Sequence, residues 1–239
     1  MRILAVDTST QVGAVGLLDT DSGAAGEANL SVSQTHSQRL LGSIDHLLSA
    51  LGWALSEVDV LAVSIGPGSF TGLRIGISIM QGLAMAQGKM LTPFSSLEAL
   101  ANNYVGCPHL VCPMIDAKMG EVFTALFRFD GANLLPEAPE QAVRPAEIVS
   151  LASEKKTIFL GDGANVYAQA ITNGMKAEYV IAPIHLSQPR GICAARLVAQ
   201  TASERGGVDP SQIRPRYLRK SNAELAKEKV LSSNSNSST

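Results

Sequence analysis

The stretch from residue 58 to residue 88 constrains the fold more than any other. Between Val60 and Gly88 a single charged side chain, Arg74, interrupts an otherwise uncharged run. Residues 58–65 form an apolar segment of strand length that stops at Gly66-Pro67-Gly68, a tripeptide that breaks regular structure and favours a tight turn. Ser69 or Thr71 can then cap a helix expected to run to about Ala86. Leu73, Ile77, Met80 and Ala84 lie on one side of that helix, and Ile75, Ile79 and Leu83 on another. Only Arg74, Ser78, Gln81 and Met85 make a narrow, weakly polar stripe. A helix apolar on two sides must be covered on two sides. One cover is its own sheet, the other is expected to be a second protein, and Gly72 and Gly76 are expected to let another helix come close.

A strand, a glycine turn and a helix also aim backbone N–H groups and the positive end of a helix dipole at one point, which suits an anion. The glycines do not match a known phosphate signature. A dinucleotide fingerprint starting at Gly66 would need glycine at 71, where Thr71 stands, and no lysine with Ser/Thr follows for a P-loop. Phosphate contact by Gly66, Gly68 and Ser69, and a role confined to tight packing, both stay open.

The 239 residues are long for one domain and comfortable for two lobes. With 46% hydrophobic and 17% charged residues, a large core is expected. The formal net charge of −2 gives no general attraction to nucleic acid, so an RNA contact would need a local basic patch. Met1-Arg2 leads straight into a strand-like run rather than a secretory leader, and Pro67 and Arg74 interrupt the longest apolar stretch before it could cross a bilayer. Three cysteines, an odd number, suggest reduced thiols and a cytoplasmic location.

Ile3-Leu4-Ala5-Val6 is an apolar run ending at Asp7, followed by Thr8-Ser9-Thr10 and a second strand-like run over residues 14–18. Residues 19–23 read as a hairpin turn. A strand ending in Asp-Thr-Ser-Thr before another strand has the layout of a phosphate hairpin, in which Asp7, Thr8 and Ser9 would meet phosphate or a metal-bound water. The same residues can equally hydrogen-bond their own turn. Thr35-His36-Ser37-Gln38 reads as a capping box. The helix behind it carries Leu40, Leu41, Ile44, Leu47, Leu48 and Leu51 at helical spacing, and Gly52 ends it. His36 and His46 are too far apart on that helix to share a metal and read as surface or capping residues.

In order along the chain stand residues 3–10, His36-Ser37-Gln38-Arg39-Leu40-Leu41, the run Gly66-Pro67-Gly68-Ser69-Phe70-Thr71-Gly72-Leu73-Arg74, Pro113-Met114-Ile115-Asp116-Ala117-Lys118, and Pro215-Arg216-Tyr217-Leu218-Arg219. Together they resemble the TsaB (YeaZ) family of bacterial proteins needed to make threonylcarbamoyladenosine in tRNA. The resemblance covers about residues 1–220. It implies an α/β, actin-like (ASKHA) fold of two RNase-H-like lobes. On that basis residues 1–100 make the first lobe, with a helix at about 190–205 packing back on it. Residues 101–189 make a smaller second lobe, and 221–239, rich in Ser and Asn, a mobile tail.

The resemblance further implies a non-catalytic activator and scaffold, paired with a TsaD-type catalytic subunit and joined by a TsaE-type ATPase. Contact with tRNA is then indirect, and ATP and magnesium or another metal belong to the partner subunits. The expected partner surface comprises His36, Arg39, Leu40, Ile44 and Leu47 with Gly72, Arg74, Ile75, Gly76, Ile79 and Leu83. A homodimer would use the same surface.

One departure bears on mechanism. Where the catalytic paralogue carries a His-Leu-Glu-x-His metal motif, this chain has Ser96-Leu97-Glu98-Ala99-Leu100. Both imidazoles are replaced, so no metal site is expected there. Cys107, His109 and Cys112 fit no zinc spacing and read as buried thiols and a nearby histidine. Asp116 and Glu121 could form an acid/base pair or a hydrogen-bonded structural contact. In the second half, strands are expected over 110–112, 122–129 and 157–160, a turn at 130–133, a loop over 137–145, a helix near 167–173 and another over 192–200. A stand-alone actin-fold phosphotransferase, resting on Asp7 and the Gly66 turn, is the alternative function. A metallopeptidase would lack its ligands.

Overall fold

The computed structural model describes residues 1–31 and 36–219. The first sheet is built from β1 (Arg2–Asp7), β2 (Val12–Asp19), β3 (Ala25–Ser31), β4 (Val60–Ser64) and β5 (Leu91–Phe94), in the order β3-β2-β1-β4-β5. In it, β1 runs antiparallel to β2 and parallel to β4. Helices α1 (His36–Leu51) and α2 (Phe70–Ala86) belong to the same half, and α3 (Ser96–Ala101) follows β5.

The second sheet contains β6 (Leu110–Lys118), β7 (Glu121–Asp130), β8 (Asn133–Val143), β9 (Thr157–Leu160) and β10 (Tyr179–Ile181), in the order β10-β9-β6-β7-β8. Here β6 is antiparallel to β7 and parallel to β9. Each sheet has a central strand, β1 or β6, flanked by one antiparallel and one parallel neighbour. They repeat one RNase-H-like topology, and together they make the expected α/β actin-like arrangement. Helices α4 (Pro145–Ala152), α5 (Asp162–Val166), α6 (Ala168–Gly174) and α7 (Gly191–Arg205) complete the described α-helices.

The alternation of β1 explains the layering. Leu4 and Val6 face a core shared with Ile44, Leu48, Ile77 and Met80 of α1 and α2. Ile3 and Ala5 face the opposite core, made with Ala194, Leu197 and Val198 of α7. A strand with period-two side chains and helices on both faces must be apolar at every position, and residues 3 to 6 are all buried. Each fully buried aliphatic side chain there contributes about 1.5–3 kcal/mol relative to exposure. The N-terminus of α7 is held from β3, where Glu27 pairs with Arg190 and accepts from the Ile192 amide at 3.3 Å.

Several expectations change. Residues 137–145 are not a loop: β8 continues to Val143 and α4 starts at Pro145. Pro136 and Pro139 disguise this strand, but β8 is the sheet edge, where a proline's missing N–H is tolerated. The first strand of the second sheet continues past residue 112 to Lys118, carrying Asp116 to its end. The single helix near 167–173 is two short helices, α5 and α6, broken at Tyr167. The capping box at Thr35 and the tail 221–239 lie outside the described residues. Among the described residues, no helix is long and apolar enough to cross a membrane.

Candidate functional site

Helices α1 and α2 pack side by side on the first sheet. Ser69 is the N-cap of α2: its hydroxyl accepts from the Gly72 amide at 3.2 Å. Leu73, Ile77, Met80 and Ala84 are buried, while Arg74, Ser78 and Met85 are exposed. Ile75, Ile79 and Leu83 remain half-buried in a row along α2, and Leu41 of α1 is exposed. This is the apolar second side expected from the sequence.

Five of the residues expected to meet a partner are placed elsewhere. Leu40, Ile44 and Leu47 are buried in the core of their own lobe, because the leucine spacing of α1 serves the sheet beneath it. Gly72 and Gly76 are buried against Thr8 of the same chain. A Cβ at Gly72 would fall on the Thr8 carbonyl oxygen, and one at Gly76 on the Thr8 hydroxyl. The smallness of these glycines admits the β1–β2 turn, not a foreign helix. Arg74, Ile75, Ile79 and Leu83 retain exposed or half-exposed positions, and Arg39 lines a small pocket with Thr8 and Leu40. The side chain of His36 is outside the described set.

The expected phosphate hairpin is close to the glycine turn, but the chain fills the space between them. The Ser69 amide donates to the Ser9 carbonyl at 2.6 Å, and the Thr8 hydroxyl donates to the Gly72 carbonyl at 2.8 Å. Gly68 abuts the Ser9 backbone, and Gly66 lies near Leu73 and the Arg216 carbonyl. Asp7 is buried, with Oδ1 accepting from the Ser9 amide at 2.8 Å and Oδ2 lacking a hydrogen-bond partner among the described residues. Burial pushes its carboxyl above the ordinary value. The packing role of the glycines is thus directly visible.

Between the two sheets lies a cleft of about 650 Å³, lined by Ser9, Ser69, Phe70 and Arg74 on one side and by Ile115, Asp116, Lys118 and Asp162 on the other. Asp116 Oδ2 accepts from Lys118 Nζ at 2.6 Å, and its own amide donates to Asp162 at 3.0 Å. Burial pushes Asp116 up, but the Lys118 ammonium and amide outweigh it, so the carboxyl lies below its ordinary value. At Asp162 desolvation outweighs the Asp116 and Gly163 amides that donate to it, and its carboxyl is pushed up. Glu121 is held by Arg219 Nη1 at 2.8 Å. The two carboxylates suggested as an acid/base pair are therefore held by different cations.

A strap from residue 213 to residue 219 crosses the cleft mouth, a role that sequence reading missed. Its start is fixed by Gln81, whose Nε2 donates to the carbonyls of Pro210 and Ile213 at 2.6 and 3.2 Å. Tyr217 stacks on Phe70 with centroids 4.8 Å apart. Arg74 lies over the same Phe70 ring, 3.9 Å from its centroid, and its Nε donates to the Tyr217 hydroxyl at 3.3 Å. Arg216 pairs with Glu140 of β8, which also accepts from the Ser95 hydroxyl. The available signal was the spacing of Arg216, Tyr217 and Arg219 after the last helix.

At the position of the paralogue's metal motif, the Ser96 hydroxyl bonds that of Ser64 at 2.6 Å and Leu100 is core. Cys112 is buried beside the Thr124 hydroxyl, and burial pushes its thiol up to about 12. Cys107 is only half-buried, and His109 is exposed.

A family model described as TsaD, tRNA N6-adenosine threonylcarbamoyltransferase, matches residues 30–227. A Bacillus subtilis protein described as tRNA threonylcarbamoyladenosine biosynthesis protein TsaB is 31% identical over 226 residues, covering 94% of this chain and 96% of its own. A Haemophilus influenzae protein of the same description is 29% identical over 229 residues, covering 92% and 94%. The solved structure of YeaZ from Pseudomonas aeruginosa superposes with a TM-score of 0.78 at 29% identity, covering 91% of this chain and 99% of that one. Identity carried through nearly the full length of both sequences, on one backbone course, places the chain in the TsaB family.

Proposed function

We propose that this chain is a non-catalytic activating and scaffolding subunit of the assembly that places threonylcarbamoyl on adenosine of tRNA. It docks on a TsaD-type subunit through the outer face of α1 and α2, and a TsaE-type ATPase joins the pair. Nucleotide and metal chemistry reside in those partners.

The observation that carries this reading is the apolar row Ile75, Ile79 and Leu83 on α2 with Leu41 on α1, left partly uncovered after the sheet-facing side is buried. Apolar side chains left accessible on two neighbouring helices are suited to a protein contact, and ridges of helix side chains suit packing against a like pair. The occupied turn supports the non-catalytic part. Mixing the full chain with the TsaD-type protein of its own genome and running size exclusion with light scattering tests the proposal. A one-to-one or two-to-two complex is expected; two separate peaks at micromolar concentration sink it.

The cleft favours one second reading, a stand-alone actin-fold phosphotransferase, because its size would admit a nucleotide. Titration with ATP and magnesium separates the two.

A further inference from the structure

We infer that residues 213–219 are a latch that sets the opening of the cleft between the two sheets. The base and the mouth of the cleft are built differently. At the base, Leu97 and Leu100 of α3 share a dry core with Val111, Ile115 and Leu160 of the second sheet. Such packing is short-ranged and undirected, and it tolerates small sliding of the packed elements.

At the mouth the link is polar and directional. Arg219 Nη2 donates to the Ala117 carbonyl at 2.7 Å and Nη1 to Glu121 at 2.8 Å, tying the strap to both arms of the β6–β7 hairpin. Arg216 pairs with Glu140 on β8, while its own amide donates to the Ile65 carbonyl at 2.8 Å in the first half. Tyr217, between them, rests on Phe70 at the start of α2. Within four residues the strap holds both halves of the molecule. Arg216 and Tyr217 are 45% and 41% exposed, so water reaches the outer side of the strap, while Glu140 and Arg219 beneath it are largely covered.

Arg74 connects the latch to the helix face. Its guanidinium is held by the Phe70 ring and the Tyr217 hydroxyl, and its neighbour Ile75 belongs to the apolar row. Partner affinity should then depend on the latch, a consequence that rests on the docking proposed above.

Hydrogen exchange on the full-length Arg216→Ala/Arg219→Ala variant tests the latch without any partner. Amides of residues 116–123 and 137–143 should exchange about tenfold faster than in the parent, while those of β1 and β4 keep their rates. Unchanged rates at the hairpin overturn the latch, and so does equal acceleration everywhere, which marks a contribution to global stability alone. Should that variant not fold, Tyr217→Ala, which removes one half-exposed ring, carries the same comparison with the same two overturning results. Titrating Tyr217→Ala and Tyr217→Phe against the TsaD-type protein tests the coupling. Weaker binding by about tenfold for alanine, with phenylalanine, which keeps the Phe70 stack but loses the hydroxyl bonded to Arg74, between alanine and the parent, supports it. Equal affinities overturn the coupling and leave the latch standing, whereas failure of the parent itself to bind overturns only the docking.

Discussion

Thr8 sits astride the first turns of α2, donating its hydroxyl to the Gly72 carbonyl at 2.8 Å while its own carbonyl lies where a Gly72 side chain would be. Gly76, one turn later, meets the Thr8 side chain instead. The two glycines should therefore differ in a testable way. Gly72→Ala collides with backbone and is expected to destabilise by about 3 kcal/mol, the upper end for overpacking. Gly76→Ala collides with side-chain atoms, so Thr8→Ala should rescue it. Helix propensity returns up to about 1 kcal/mol at either site. A double-mutant cycle by urea unfolding reads the difference; equal rescue at both glycines would contradict this geometry.

The partner face calls for a different position. Leu40, Ile44 and Leu47 are core, so changing them unfolds the lobe rather than probing docking. Ile79 packs partly against that core, whereas Ile75 is half-exposed outside it. Ile75→Asp is expected to alter stability by less than about 1 kcal/mol. In a complex that buries this row, the unpaired carboxylate should weaken binding at least roughly 100-fold. Circular dichroism and light scattering with the TsaD-type protein decide it, and normal binding by a folded Ile75→Asp chain rejects this face.

The sequence made α2 legible because its two apolar faces and Ser69 cap follow directly from helical spacing. It also marked the Gly66–Gly76 run as a close approach, yet not what approached. Glycine spacing reports that space is tight, while the identity of the neighbour, Thr8, depends on how β1 lies beside β4. The duplication of the two sheets was expected only through the family resemblance, because it resides in strand pairing rather than in any run of residues. Edge strand β8 was missed because its prolines are tolerated only at an edge, a tertiary fact. The run 215–219 stood out in the sequence, but its bridging role did not, because the partners of Arg216 and Arg219, and of Gln81 at the strap's start, lie far along the chain.

The occupied turn makes a prediction about chemistry. The Ser69 amide and the space beside Gly68 are taken by Ser9, and no lysine of a P-loop follows. The purified chain should hydrolyse ATP with magnesium no faster than a buffer control. Turnover that persists through repurification and vanishes in Asp7→Ala would restore the phosphotransferase reading.

Asp7 supplies the last prediction, through proton linkage. Burial raises its carboxyl above the ordinary 3.8, opposed by the Ser9 amide that donates to Oδ1. The folded chain therefore holds this proton more tightly than the unfolded chain does. Stability from this group is greatest below 3.8, falls as pH rises toward the raised folded value, and levels off above it. Asp7→Asn keeps an oxygen to accept the Ser9 amide but has no proton to lose. The stability difference between variant and parent should accordingly shift in favour of the neutral amide as pH rises above about 4, then become constant. Asp162, also raised by burial, and Asp116, lowered by Lys118, titrate in both proteins and cancel in the difference. Urea unfolding of parent and Asp7→Asn at matched pH measures it. Curves that stay parallel from acid to neutral pH would mean that Asp7 ionises in the fold as freely as in the open chain.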